Sequence, residues 1–167
     1  MLPKELDPID RAILDALQQD ARLSADALAE QVGSSRSSVQ RRLRRLSQNG
    51  VIEREVAQLD PGAVGGLMTF VVEVELERER IDLLDEFKRS MQALHEVQQC
   101  YYITGQADFV LIVLVRDMQD YDRFSRRVFV ENPNIRRFAT SVVVDRVKAS
   151  LRIPLGDGRS PPKGHQR

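Results

Sequence analysis

Residues Ser35–Gln48 read SRSSVQRRLRRLSQ, a stretch with Arg36, Arg41, Arg42, Arg44 and Arg45 and no acidic residue. The whole 167-residue chain has formal net charge +0, so this basicity is local and not a general property of the chain. Val39, Leu43 and Leu46 recur at the i, i+4, i+7 spacing of a helix with one buried stripe. At about 100° per residue, Ser37, Gln40, Arg41, Arg44 and Arg45 fall roughly opposite that stripe. Arg36 and Arg42 lie nearer its flanks. A helix buried on one side and lined with arginine on the other suits a nucleic-acid groove. A solvated charged face is the commoner fate of a charge run, but such faces mix signs and this one does not.

The flanking residues give this helix its setting. Ser35 offers a hydroxyl to an orphan N–H at the helix start, and Asn49-Gly50 ends it. Upstream, Asp7-Pro8 opens a first helix, with Asp10 three residues past the cap and Ile9, Ala12, Ile13, Ala16 and Leu17 as its apolar stripe. Ser24 opens a second helix that buries Ala27, Leu28 and Val32 and stops at Gly33. Helix, helix, the turn Gly33-Ser34 and a basic helix make the layout of a helix-turn-helix. Val51–Val56 is compatible with a wing strand. The candidate contacts to double-stranded DNA are Ser35, Arg36, Ser37, Gln40, Arg41, Arg44 and Arg45. The arginines can grip phosphates or the O6/N7 edge of guanine, and sequence does not apportion them. Asp7, Asp10, Asp15, Asp20, Asp26 and Glu30 all lie in the first two helices, an asymmetry that would orient the module on a polyanion. A small helical bundle with a basic surface is the bland alternative.

Residues 1–56 therefore form one expected domain, and 57–66 a linker, where Pro61, Gly62, Gly65 and Gly66 break the composition. Beyond it the period changes. Phe70, Val72, Val74 and Leu76 alternate as a strand, and Ile81, Leu84, Phe87, Met91 and Leu94 have helical spacing. Val97–Thr104 and Asp108–Val115 read as strands joined at Gly105-Gln106-Ala107. Met118, Tyr121, Phe124 or Ser125, and Val128 mark another helix, and Arg136–Val147 a last strand with Val142 and Val144 on one face. The order β-α-β-β-α-β over residues 67–153 is the ferredoxin-like split arrangement, so the chain is α+β. Two helices cover one face of a four-stranded sheet, yet Phe109–Val115 (FVLIVLV) is apolar on both. The uncovered face must meet something apolar, most simply a second copy, which predicts a homodimer.

Composition narrows the class further. With 42% hydrophobic and 30% charged residues the chain reads as a soluble globular protein. The run Phe109–Val115 is too short to span a bilayer, and MLPKELDPID lacks the apolar core of a secretory signal, so a cytoplasmic protein without a membrane partner is expected. Cys100 is the lone cysteine, and His95 and His165 are the only histidines, so a metal site of His/Cys type has almost no ligands to draw on and no cofactor is expected. The end of the chain, residues 154–167 (PLGDGRSPPKGHQR), has the composition of a disordered tail.

Taken in order, these pieces resemble the Lrp/AsnC (feast/famine) transcription regulators, from about Leu6 to Ile153. The carrying residues are Leu6–Leu14, Leu28-Ala29 through Val32-Gly33, Arg41–Leu46, Gly50-Val51-Ile52, Thr104–Phe109, Asp117-Met118 and Thr140–Lys148. Two departures are Ser34, where the family usually has an apolar residue, and Asn132-Pro133-Asn134-Ile135, where a leucine-proline-glycine-valine pattern is commoner. The resemblance implies a small-molecule effector, typically an amino acid, held between dimers in the sheet domain. Carried over by position, its contacts are Gly105, Gln106, Asp108 and Thr140, with Tyr102 lining a side-chain pocket. Gly105 would let N–H groups approach a carboxylate, Asp108 would pair with an α-ammonium, and the Thr140 hydroxyl would donate or accept. From the residues alone, Gly105 and Asp108 fit better as residues that simply shape a hairpin, and it is the resemblance that favours the ligand reading. The resemblance also implies assembly beyond the dimer, octamers being common.

Two other functions fit the layout. Sirohaem decarboxylases share the two domains, but an enzyme needs acid/base residues in the sheet domain, and His95 at a helix-to-strand junction is the only histidine there. The chain is therefore not expected to be an enzyme. An architectural DNA protein without effector is the third reading.

Overall fold

The computed structural model describes residues 6–78 and 80–155. These divide into two units, residues 6–57 together with 149–155, and residues 58–148.

The helical unit holds α1 (Pro8–Leu17), α2 (Ala25–Val32) and α3 (Arg36–Gln48). Each start is capped as its sequence dictates. Asp7 accepts the Asp10 N–H at 2.8 Å while Asp10 accepts the Asp7 N–H, a reciprocal capping box, and Ser24 and Ser35 accept from Ala27 and Ser38. Gly33 and Gly50 end α2 and α3 at φ of 63° and 69°, the left-handed region where a side chain would be strained. Behind Gly33, Ser34 N donates to Ala29 O at 2.9 Å, which folds the chain sharply into α3. Ile13, Leu28 and Val39 meet with no exposure at all, one from each helix. Each such burial is worth about 1.5–3 kcal/mol.

One expectation fails in this unit. Val51–Val56 is no strand: the Val51 and Ile52 amides close α3 on Leu46 O, and among the described residues no strand pairs with the run. A lone extended run has no ladder partner within the unit. Residues 149–153, the end of the sheet domain in sequence, make their contacts with the helices. Arg152 pairs with Asp15 at 3.0 Å, Ile153 exchanges two hydrogen bonds with the Gln18 amide at 2.6 and 3.0 Å, and Leu155 O accepts from Arg11 at 2.7 Å. Pro154 and Leu155 thus follow directly from an anchored segment. The disorder expected over 154–167 otherwise falls on residues 156–167, outside the described residues.

The second unit is a four-stranded antiparallel sheet of order β2-β3-β1-β4, built from β1 (Met68–Leu76), β2 (Val97–Tyr102), β3 (Phe109–Val115) and β4 (Ile135–Val142). Helices α4 (Ile81–Ala93) and α5 (Met118–Ser125) join the strands, and α5 runs on into a π-helical turn, Arg126–Val130. Phe124 and Ser125 bury, followed one turn on by Val128 and Phe129. The core gathers Phe70, Val72, Val74, Phe109, Leu111 and Val113 under Phe87, Met91, Tyr121 and Phe124. Alternation along β3 is strict: Phe109, Leu111, Val113 and Val115 are buried, whereas Val110, Ile112 and Leu114 stay partly exposed on the other face. Strand β4 ends at Val142, five residues earlier than its apolar pattern predicts. Its partner β1 begins at Met68, so beyond Val143 N to Thr69 O there is no ladder left, and Val144 is 98% exposed.

Candidate functional site

Helix α3 has three different sides. Val39 and Leu46 are buried against α1 and α2, with Leu43 partly so. Arg41 and Arg44 are exposed and, among the described residues, make no ion pair or hydrogen bond; Ser37 and Gln40 stand beside them, Ser37 sharing its hydroxyl with the cap Ser35 at 3.2 Å. The third side faces the start of α1 and is occupied by acid. Asp10 has no exposed surface, and its two carboxylate oxygens accept from two arginines: Arg42 Nη1 on Oδ1 at 2.8 Å and Arg45 Nη2 on Oδ2. Arg42 Nη1 also donates to Asp7 Oδ2 at 2.5 Å.

The physics of this cluster is that of a buried ion group. A carboxylate removed from water must be paired, and Asp10 is paired twice. The Asp7 carboxyl is held below the ordinary carboxylate range, first by the Asp10 backbone N–H and then by Arg42. The Arg42 guanidinium is held above its usual range by Asp7 and then Asp10.

Of the seven candidate DNA contacts, Ser35, Ser37, Gln40, Arg41 and Arg44 therefore share the cap and outer face of α3. Arg36 reaches Asp26 at 3.3 Å with both side chains well exposed, a pair that water screens almost completely. Arg45 keeps its angle on the helix and is exposed, but its side chain reaches back to Asp10. The asymmetry of charge read from the sequence is thus partly internal neutralisation, because Asp7, Asp10 and Asp26 are the counterions of Arg42, Arg45 and Arg36. Sequence reasoning saw both sets of charges but had no signal for which would meet.

The candidate effector residues lie at two places on the sheet. The β2–β3 turn carries exposed Gly105 at φ 151° and exposed Gln106. Asp108 is tied inward: Oδ2 accepts Leu76 N at 2.6 Å, its N donates to Val74 O, and its O accepts from Ile103 N. Its second carboxylate oxygen has no hydrogen bond among the described residues. Tyr102 packs against Phe109 with ring centroids 5.1 Å apart, beneath Lys88 Nζ at 5.1 Å. Thr140 sits on β4 opposite Val72, with its hydroxyl 2.5 Å from that of Tyr121. Two strand spacings, about 10 Å, and the intervening β1 separate it from β3, so one chain does not bring Thr140 to the turn.

A three-helix unit with a free arginine face, followed by a ferredoxin-like sheet, defines the class of a two-domain DNA-binding regulator. Comparison with known proteins makes this specific. The winged helix-turn-helix DNA-binding family matches residues 6–53, and the Lrp/AsnC ligand binding domain family matches residues 69–153. An HTH-type transcriptional regulator of Sinorhizobium fredii is 50% identical over 151 residues, 90% of this chain and 89% of that protein. An AsnC family transcriptional regulator from Agrobacterium tumefaciens superposes with a TM-score of 0.84 at 33% identity, over 90% of this chain and 97% of that one. A transcriptional regulator from Neisseria meningitidis, solved in complex with L-Met, gives 0.83 at 28% identity over 90% and 97%. The chain belongs to the Lrp/AsnC family of transcriptional regulators. Among the described residues no helix is long and apolar enough to cross a membrane.

Proposed function

We propose that this chain is a sequence-specific DNA-binding regulator, cytoplasmic and without catalytic activity or cofactor, that works as a homodimer and responds to an amino acid. The observation that carries the DNA-binding part is the outer face of α3. Arg41 and Arg44 stand exposed and, among the described residues, without an ion pair or hydrogen bond, beside Ser37 and Gln40 and ready for a major groove.

The dimer rests on the sheet face opposite α4 and α5. Val110, Ile112 and Leu114 of β3 and Val71 of β1 form an apolar strip there that no element of the unit covers. A second sheet packed on it would hold two α3 helices at a fixed separation, so the operator would be roughly two-fold symmetric.

The amino-acid site is proposed at the Gly105–Asp108 turn, with Gln106 exposed and one oxygen of Asp108 open to an α-ammonium. Tyr102 would flank the pocket. Thr140 lies away from the turn in its own chain, so its contribution would come from a neighbouring copy, as in a ligand held between dimers and in a higher oligomer such as an octamer. The L-Met bound by the Neisseria regulator is of this ligand class. Selection of binding sites from random DNA, with and without an amino-acid mixture, tests both halves. A shared half-palindrome whose recovery depends on the mixture is expected. A random output would remove sequence-specific binding. An output indifferent to the mixture would leave an architectural or effector-independent DNA protein.

A further inference from the structure

Helix α3 carries two ladders of arginine, each spaced by three residues, and the two face different environments. Arg41 and Arg44 point away from the unit. Arg42 and Arg45 point to one buried carboxylate, that of Asp10 on α1, which has 1% of its side-chain surface exposed. We propose that Asp10 sorts the arginines of α3, withholding Arg42 and Arg45 from the DNA backbone and leaving Arg41 and Arg44 to meet the groove. The inference rests on the DNA-binding reading of α3 and concerns which of its cations reach DNA.

Arg42 cannot exchange partners cheaply. Its side chain is 16% exposed and Nη1 bridges Asp7 and Asp10, so reaching a phosphate would mean pulling a guanidinium out of the interior. Arg45 is the informative case, because 48% of its side chain is exposed and nothing steric stops it from swinging outward. What holds it is electrostatic. Leaving Asp10 would strip Oδ2 of a fully buried carboxylate of its charged donor and leave it only the Asp7 N–H at 3.3 Å, while a phosphate would offer no more than an equivalent anion in water. Arg36 stands in the opposite position: its Asp26 partner is exposed and competes weakly with a phosphate.

The functional consequence follows from counterion release. Each phosphate neutralised by a cation steepens the fall of log K with log salt by about 0.9. Such contacts strengthen binding to every sequence alike. Withdrawing two arginines per protomer lowers affinity for operator and random sequence by the same factor, so the operator preference is carried by Arg41 and Arg44 and the chain is held less tightly, and with a shallower salt dependence, on arbitrary DNA. Asp10 is a positioning residue in this scheme and does not touch DNA.

The test measures binding of the full chain to a random-sequence duplex, and to a selected operator, across a series of NaCl concentrations. Arg45→Gln, which keeps a donor for Asp10, should leave both affinities and the salt slope at wild-type values. Arg41→Gln and Arg44→Gln should weaken operator binding. Asp10→Asn, wherever its far-ultraviolet melt shows it folded, should steepen the random-duplex slope by about 1 to 2 per bound protomer and tighten binding to random duplex and operator alike. If Asp10→Asn unfolds, Arg45→Gln decides alone. A slope lowered by Arg45→Gln, with Arg41→Gln and Arg44→Gln also weakening binding, overturns the sorting and leaves α3 as the DNA helix. Binding unchanged in Arg41→Gln and Arg44→Gln overturns both.

Discussion

Asp108 accepts the backbone N–H of Leu76 at 2.6 Å, fastening the β2–β3 turn to the far end of β1. The bond joins residues that are distant in sequence, and it satisfies a donor where β1 leaves the ladder at a register shift between Glu75 and Leu76. Hydrogen bonds to a charged acceptor contribute about 1.5–3 kcal/mol. Asp108→Ala should therefore cost the sheet unit about that much in urea unfolding. Asp108→Asn keeps an acceptor and removes the charge, so it separates support from ligand binding. Near wild-type stability with loss of the heat of amino-acid binding in calorimetry is the expected pair of results. Full ligand heat in Asp108→Asn would remove the ammonium contact from the proposal.

The capping box gives the helical unit an acid sensitivity whose sign can be worked out. Asp7 has a lower pKa folded than unfolded, because the Asp10 N–H and Arg42 favour its ionised form. Its contribution is complete above the unfolded value near 3.8 and is lost as pH falls through the folded value. Melting temperatures taken between neutral pH and pH 3 should fall at the acid end, and Asp7→Asn should flatten that fall. An acid limb of equal steepness in Asp7→Asn would assign it to other carboxylates.

Arg41 and Arg44 should each matter to DNA and not to folding. Neither makes a hydrogen bond or ion pair among the described residues, so alanine at either position breaks no polar native interaction. A bidentate arginine on guanine is worth about 1–3 kcal/mol of discrimination. Arg41→Ala and Arg44→Ala should each weaken operator binding by roughly 5- to 150-fold, at unchanged melting temperature and unchanged dimer mass. Undiminished binding by both would place the recognition surface elsewhere on the unit.

Much of this architecture is legible in local sequence, for identifiable reasons. Asp7-Pro8 with Asp10, Ser24 and Ser35 are caps because their side chains bond within three residues, and Phe109–Val115 declares its two apolar faces by simple alternation. Local reading fails where the partner is remote. A helical wheel gives the angle of Arg45 but not the presence of Asp10, 35 residues earlier, on that side. The same blindness hides the fastening of Ile153 to Gln18, 135 residues away, and stretches β4 past the point where β1 stops supporting it. For the effector, the sequence offers turn chemistry at Gly105 and Asp108, yet the Asp108–Leu76 bond shows that part of this chemistry serves the hairpin itself.

The fastening of residues 152–155 to α1 is open to a direct measurement. Gln18 acts as both donor and acceptor to Ile153, and Arg152 rests on Asp15, so the segment is held by side chains and not by a strand ladder. These bonds are exposed, and each is worth about 0.5–1 kcal/mol at most. Their loss should show in local opening before global stability. In limited trypsin digestion, Gln18→Ala and Asp15→Asn should speed cleavage after Arg152 while leaving the melting temperature within a degree or two. Unchanged cleavage in the double variant would mean that the segment is held by something other than these side chains.

The sheet face offers the sharpest test of assembly, because the two faces of β3 should respond oppositely to the same change. Ile112 is partly exposed in the single chain, and its neighbours across the face are Val71 of β1 and Gln99 of β2. A carboxylate at Ile112 stays hydrated in a monomer but is buried unpaired in a face-to-face dimer, at a cost of several kcal/mol. Ile112→Asp should therefore remain folded by circular dichroism and sediment as a monomer at micromolar concentration. Val113, the next residue, has no exposure, and Val113→Asp should unfold the unit whatever its assembly. The Ile112→Asp monomer should also bind operator DNA far more weakly, since each recognition helix then binds as a single module without its partner at fixed spacing. A dimer that survives Ile112→Asp would show that this face is not where two copies meet.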